Sequence, residues 1–410
     1  MTIKNVVILN DYCHINGGAS KVAIDEATGL ARAGVNVIFI GACAPICPEL
    51  ANPKISENIK IICLNQTELI KAGKNPFIML QALWNVKAAK ATRNLLKNMN
   101  KSDTIVHLHG YTKALTVSPV KVANKMGFKV VCTLHDFFPA CPNGALFDYN
   151  LCKPCHRKAM SLDCIKAKCD KRHYFHKIYR VVRGFIQKNI GGFPKNVKNY
   201  ITLSNNSASL LKPYLPSNAN YYSLENPIDI PKKPPVDVTQ NKSVVAVGRL
   251  DAEKGIEILL EAAKKAGISL TLVGDGELKK LAEPYDNCHL TGWVSPARVI
   301  EELEKARCLV FPSLWYETYG LVVAEAMAKG IPAIVSDISA AAERIEHGKN
   351  GWHIKSGDAE DLAKYLALTK NDELIRKAGE LAYESFWKNP PITQNHIEKL
   401  IDIYTKIKNE

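Results

Sequence analysis

An α/β protein of two doubly wound domains facing a central cleft is predicted by three features of this sequence. Short β-branched runs alternate with helix-length segments along the whole chain, the pattern of parallel sheets with crossover helices. The chain has 410 residues, past the size at which one hydrophobic core stops growing, so two domains of roughly 200 residues each are expected. A stiff polar stretch, Asn226-Pro-Ile-Asp229 leading into Pro231, Pro234 and Pro235, separates the halves. The expected domains are residues 1–225 and 226–388, and ligands in such folds meet the carboxyl ends of the strands.

In the first half the strands are expected at Val6–Asn10, Val35–Gly41, Ile59–Leu64, Thr104–His109, Lys129–His135 and Tyr200–Ser204. Helices are expected between them, at Gly18–Ala33 and Pro76–Lys97 among others. The second half reads as strands at Val244–Gly248, Leu270–Gly274, His289–Thr291, Cys308–Pro312, Ala333–Ser336 and Trp352–Ile354, each followed by a helix or a turn. Asn389-Pro-Pro391 breaks the last helical region and leaves Thr393–Lys408 as a separate amphipathic helix.

Composition narrows the class. With 47% hydrophobic and 23% charged residues the chain is an ordinary globular sequence. No segment reaches the ~20 apolar residues needed to span a bilayer. The run Val6–Leu9 near the amino end is too short for an export signal, so a cytoplasmic location and reduced cysteines are expected. Of the twelve cysteines, Cys13, Cys63, Cys132 and Cys308 fall in or near apolar runs and read as core residues. The net charge of +14 is local: residues 153–198 hold 13 Lys and Arg against two Asp.

Two segments of the second half carry chemistry. Val244-Val-Ala-Val-Gly248-Arg249-Leu-Asp-Ala-Glu253-Lys254-Gly255 ends a strand in glycine and sets two cations at its carboxyl end. A planar arginine fork and a lysine point charge there suit a diphosphate, or are solvated loop charges. Phe311-Pro-Ser313-Leu-Trp-Tyr-Glu317-Thr-Tyr-Gly320-Leu-Val-Val-Ala-Glu325 runs from strand through loop into a helix that starts near Gly320. The amides of Gly320, Leu321 and Val322 are then free donors at a positive helix end, a seat for phosphate. Glu317 before that seat and Glu325 after it can each accept two hydroxyl hydrogen bonds from a sugar diol; the plainer reading is a helix-end charge and an exposed helix residue.

The order GRL, EKG, VGDGE, PSxxYExxG and EAMAxGxP over Val244–Asp337 resembles the retaining nucleotide-sugar glycosyltransferases of family 4, whose fold is the two-Rossmann GT-B type. The resemblance implies that Arg249 and Lys254 bind the donor diphosphate and that Glu325 binds ribose hydroxyls. Glu317 would hold hydroxyls of the transferred sugar with the amides of Tyr319 and Gly320, and Val294 in Gly292-Trp-Val294 would lie beside the base. Val273-Gly-Asp-Gly-Glu277 lacks the third glycine of a dinucleotide fingerprint and fits the glycosyltransferase loop instead.

In the first half Gly17-Gly18 is a glycine turn between strand and helix, and in the family such a loop touches donor phosphate and acceptor. His135 ends a strand at the cleft edge and takes, by resemblance, the role of the histidine that contacts the transferred sugar; His107 and His109 are weaker candidates. The terminal helix, 393–410, would cross back onto the first domain. Catalysis by such an enzyme would need no metal: no Asp-x-Asp motif stands at a strand end, and the departing phosphate can take the acceptor's proton on the face of attack.

An insertion at about 137–198 lies outside this minimum. Cys141, Cys152, Cys155, Cys164 and Cys169, with His156 beside them, have the local density of a structural zinc site, or are unconnected thiols. After them Lys171, Arg172, Lys177, Arg180 and Arg183 interleave with Phe175, Ile178, Val182 and Phe185. They form a basic amphipathic helix that either rests on an anionic membrane surface or packs on its own domain. No nucleic-acid motif accompanies the patch. The expected partners are a nucleotide-sugar donor and a saccharide or lipid-linked saccharide acceptor, in surface polysaccharide or glycoconjugate synthesis. A sugar-nucleotide epimerase of the same fold and a non-catalytic binding protein are the alternatives.

Overall fold

The computed structural model describes residues 3–410 except 56, 72 and 74, so Met1 and Thr2 lie outside it. The first sheet joins β1 (Asn5–Tyr12), β2 (Asn36–Cys43), β3 (Ile59–Cys63), β4 (Thr104–Leu108) and β5 (Lys129–Thr133). A two-strand hairpin, β6 (Phe147–Asp148) and β7 (Lys153–Pro154), stands apart, and β8 (Asn199–Thr202) and β9 (Asn220–Ser223) complete the sheet. The second sheet contains β10 (Ser243–Val247), β11 (Leu270–Val273), β12 (Cys288–Gly292), β13 (Ala306–Phe311), β14 (Ala333–Ser336) and β15 (Gly351–Ile354).

The strand orders are β3-β2-β1-β4-β5-β8-β9 and β12-β11-β10-β13-β14-β15, parallel throughout. Parallel strands are covered by helices on both faces, which is why β1 and β13 read as continuous apolar runs and are buried along almost their whole length. In each sheet the strand order reverses once beside the first strand, between β1 and β4 and between β10 and β13. Crevices open at such switch points, and the two crevices supply the loops of one cleft.

The helix Thr393–Asn409 leaves the second half and returns to the first. It buries Ile397, Leu400, Ile403, Tyr404 and Ile407, a stripe of helical period, against the helix Gly18–Arg32. The approach is close because Gly29 has no side chain: a Cβ there would lie 2.6 Å from Ile397.

Two expectations are corrected. Pro76–Lys97 is two helices, Pro76–Leu83 and Val86–Leu96, because buried Asn85 leaves the helical path to cap the second one, accepting from Ala88 N at 2.9 Å and donating to the Ala114 carbonyl at 2.8 Å. In the helix Tyr174–Asn189 most of the expected surface cations turn inward. Lys177 is buried, Arg183 donates to the Thr112 carbonyl at 2.7 Å and covers the Phe138 ring, and Arg180 pairs with Asp170 at 2.8 Å. Lys171, before this helix, reaches the second half and meets Asp251 at 3.0 Å. Internal carbonyls, carboxylates and thiols give these cations partners, and the helix leaves Phe175, Val182 and Phe185 exposed together with the polar His176, Lys188 and Asn189. Phe77 and Leu80 of the neighbouring helix Pro76–Leu83 are exposed beside them.

Candidate active site

The cleft is built from loops at the carboxyl ends of β1, β5, β10 and β13. After β1, Gly17 (φ +103°) starts the helix Gly18–Arg32 with no side-chain cap. After β13, Gly320 (φ +82°) starts the helix Leu321–Ala328, also with no side-chain cap. Both glycines hold a backbone that other residues rarely adopt, and both leave first-turn amides undonated to any side chain. The two helix starts meet: a Cβ on Gly18 would sit 3.4 Å from Leu321 Cδ1. Leu321, Val322 and Gly18 thus bring two positive helix ends to one point.

Glu317 occupies the loop before the second helix start. Its Oε1 accepts from Ser313 Oγ at 2.9 Å and Trp315 Nε1 at 2.6 Å and pairs with Lys254 Nζ at 2.5 Å. Burial pushes this carboxyl up in pKa, but Lys254, Trp315 and Ser313 outweigh it and hold it below the usual range. Lys254 stands over the rings of Phe311 and Trp315, so one ammonium, two aromatic faces and one carboxylate form a rigid wall. Glu325 differs: among the described residues no side chain hydrogen-bonds to it, and burial raises its pKa against the weaker pull of Lys21 and Lys329.

Arg249 stands half-exposed at the rim, its guanidinium bound to Asp251 and, at 2.8 Å, to Glu253. Lys171 shares Asp251, which ties the insertion to this rim. Arg249 and Lys254 line a small, open pocket together with Gly248, Phe311 and Ser313. Tyr319 is buried, donates its hydroxyl to the Asn226 carbonyl at 3.2 Å and lies under the Arg344 guanidinium. Val294 is half-buried beyond β12, next to the exposed Trp293.

His135 follows β5. Its carbonyl accepts from Thr318 Oγ1 at 3.0 Å across the cleft, and its Nε2 lies 3.0 Å from His109 Nδ1. Burial, with His109 beside it, pushes the imidazole down to about 3, so it is neutral at ordinary pH. Sequence reasoning missed Lys21, Lys171, Asp251 and Thr318 as cleft residues. Thr318 and Asp251 lie inside motifs already singled out, Asp251 beside its partner Arg249; Lys21 pairs locally with Asp25, and Lys171 meets Asp251 from a distant part of the chain.

The five cysteines of the insertion are unequal. Cys141, Cys164 and Cys169 are buried, Cys155 is half-buried and Cys152 is exposed. Buried Lys177 puts Nζ 2.9 Å from Cys169 Sγ and 3.8 Å from Cys164 Sγ, Asn143 Nδ2 is 3.3 Å from Cys169 Sγ, and Arg157 Nη1 is 3.5 Å from Cys155 Sγ.

Comparison with known proteins agrees with this architecture. The family model described as Glycosyltransferase Family 4 matches residues 16–230, and that described as Glycosyl transferases group 1 matches residues 229–385. The chain is 30% identical to trehalose synthase of Pyrococcus horikoshii over 42% of its own length and 46% of that protein's. It is 23% identical to an uncharacterized glycosyltransferase of Haemophilus influenzae over 94% of each chain. It therefore spans under half of the first curated relative it matches, with the longer match at lower identity. The crystal structure of Anabaena HepE in complex with UDP and glucose superposes with a TM-score of 0.65 at 16% identity, over 98% of this chain and 100% of that one. Sucrose-phosphate synthase of Thermosynechococcus elongatus superposes with a TM-score of 0.68 at 17% identity, over 98% and 99%. The GT-B arrangement of two facing Rossmann-like domains is the fold of this chain.

Proposed function

Because the chain belongs to Glycosyltransferase Family 4, we propose that it transfers a sugar, with retention of configuration, from a nucleoside diphosphate donor to a saccharide or lipid-linked saccharide. The meeting of two uncapped helix starts beside the Lys254–Glu317 pair carries this reading. A diphosphate needs amide donors and cations at one point, and the leaving phosphate needs them most as the sugar bond breaks. In this reading Lys254, Arg249 and the amides of Leu321 and Val322 hold the diphosphate, Glu325 the ribose hydroxyls, and Glu317 and His135 the transferred sugar. Lys254 and Arg249 would exchange a carboxylate partner for phosphate as donor enters. The departing phosphate oxygen takes the acceptor's proton, so the protein supplies position and charge without a catalytic metal.

Two finer readings accompany this one. The exposed apolar stripe of Phe175, Val182, Phe185, Phe77 and Leu80 supports contact with a membrane, where a lipid-linked acceptor for surface polysaccharide synthesis would reside. With most cations turned inward, that contact would rest on apolar insertion more than on charge. Among the described residues no helix is long and apolar enough to cross a membrane. A structural zinc on the insertion would need Cys141, Cys155, Cys164 and Cys169 drawn together, because no three of their sulfurs lie mutually within 4.8 Å; Lys177, Asn143 and Arg157 donate only to Cys155, Cys164 and Cys169.

Thermal denaturation against a panel of nucleotide sugars tests the donor reading. The UDP and glucose in HepE make UDP-glucose the first to try. A ligand of the native state raises the melting temperature by mass action, and a panel with no stabilising nucleotide sugar would refute the reading.

A further inference from the structure

Beneath the cleft a second polar cluster lies sealed in the first domain. His107 and His109 project from the end of β4 and Glu26 from the helix Gly18–Arg32; all three are at least 97% buried. His107 Nδ1, His109 Nε2 and Glu26 Oε2 form a nearly equilateral triangle with sides of 3.2, 3.3 and 3.4 Å. Among the described residues this is the one group of three such side chains whose ligand atoms lie mutually within 4.8 Å.

Hydrogen bonding within the triangle leaves an account open. Glu26 Oε2 is fully buried and has no hydrogen-bond partner although two ring nitrogens stand 3.3 and 3.4 Å away, because neither ring aims an N–H at it. Buried carboxylate oxygens normally have partners. Four-coordinate zinc with N and O ligands at about 2.0–2.1 Å separates neighbouring ligand atoms by about 3.3–3.4 Å, the size of this triangle.

The atoms facing away from the triangle are all tied. His107 Nε2 bonds Thr133 Oγ1 at 2.7 Å and His109 Nδ1 bonds His135 Nε2 at 3.0 Å. Glu26 Oε1 bonds His396 Nε2 at 3.1 Å, and His396 Nδ1 bonds the Glu225 carbonyl at 2.7 Å. Metal-binding histidines are oriented through their second nitrogen in this way. An oxygen for a fourth position is at hand: Tyr404 Oη, from the terminal helix, lies 2.7 Å from His107 Nδ1.

We propose that Glu26, His107 and His109 form a binding site for a divalent transition metal ion of the zinc class, with Tyr404 or a water as fourth ligand. Bound there, the ion would pin the helix Gly18–Arg32 and the terminal helix to β4, one residue from the cleft by way of His109 and His135. The site is separate in chemistry and in place from the cysteines of the insertion.

Cobalt(II) distinguishes the two, since only thiolate ligands give an intense sulfur-to-cobalt charge-transfer band. The full-length chain, stripped with chelator and titrated with Co²⁺, is expected to take up one equivalent with visible d–d absorption and no thiolate band, beyond any equivalent that carries that band, and Zn²⁺ should displace it. His107→Gln together with His109→Gln should weaken that uptake at least about tenfold, and Glu26→Gln should do likewise, while Cys155→Ser leaves it unchanged. Absence of the nitrogen–oxygen signal, or its persistence in the double histidine variant, overturns the proposal. Should the variants fail to fold, zinc-edge X-ray absorption of the wild-type chain decides: a nitrogen–oxygen shell at about 2.0 Å supports it and a sulfur-only shell refutes it.

Discussion

Two carboxylates, Glu317 and Glu26, organise the polar interior of this protein in contrasting ways. Glu317 gathers Ser313, Trp315 and Lys254 at the cleft, and two of those three partners come from its own loop. Glu26 gathers His107, His109 and His396 in a sealed interior, and its partners lie up to 370 residues away. The local cluster opens where a ligand can enter; the long-range one ties the terminal helix to the first sheet. A loop can therefore be read for chemistry from its own residues, whereas a cluster assembled by topology becomes visible only when the fold is known.

Substitution should separate the two. Glu26→Ala leaves buried His396 without its hydrogen-bond partner, and leaving a buried polar group unpaired costs about 1–3 kcal/mol. Denaturant unfolding should show that loss, with turnover per folded molecule less affected. Lys254→Ala should shift the balance, costing at least ~2 kcal/mol of transition-state stabilisation in kcat/KM, with a smaller loss of stability because Glu317 keeps Ser313 and Trp315 as donors. Arg249→Ala should behave like Lys254→Ala. If both kinds of substitution cost stability and activity alike, the contrast fails.

A smaller test compares packing with chemistry along the same helix. Gly29→Ala drives a methyl into Ile397 and should lower stability by about 1–3 kcal/mol in thermal melts. An unchanged melt would mean that the terminal helix shifts freely on the first domain.

Acid should divide the two cleft glutamates. Glu317 has a folded pKa below its unfolded value, so its contribution is present above the unfolded value and is lost as pH falls through the folded one. Glu325 has its pKa raised, so its ionised form is disfavoured by folding and its protonation as pH falls relieves that cost. Glu317→Gln should thus lower stability at neutral pH by about 1–3 kcal/mol, and Glu325→Gln should raise it slightly, the two differences shrinking in acid. Unfolding curves at pH 7 and pH 4 would show it.

The same division governs what was legible before the fold was seen. Parallel strands write themselves as β-branched runs, so both sheets were readable to within a few residues, including β13 and the helix start at Gly320. The edge strand β9 was missed because Asn220-Tyr-Tyr-Ser223 has no apolar run, and β6 and β7 because two residues make no pattern. At the cleft, Arg249, Lys254, Glu317 and Glu325 stood out as motif residues. What the motif did not tell is that Arg249 is already held by Asp251 and Glu253, or that Lys171 crosses from the insertion to join them. The basic helix misled because charge counted along a chain does not say which way a side chain turns: Lys177 and Arg183 look like surface cations and are buried.

The central claim is that the two helix starts and the paired glutamates form a nucleoside diphosphate site in which Glu325 serves the nucleotide and Glu317 the transferred sugar. Calorimetric titration of UDP into the wild type, Glu325→Ala and Glu317→Ala tests it most directly. The account predicts binding to the wild type, a Kd at least about tenfold weaker for Glu325→Ala, and a Kd within about threefold of the wild type for Glu317→Ala. Equal affinity in all three proteins would contradict it.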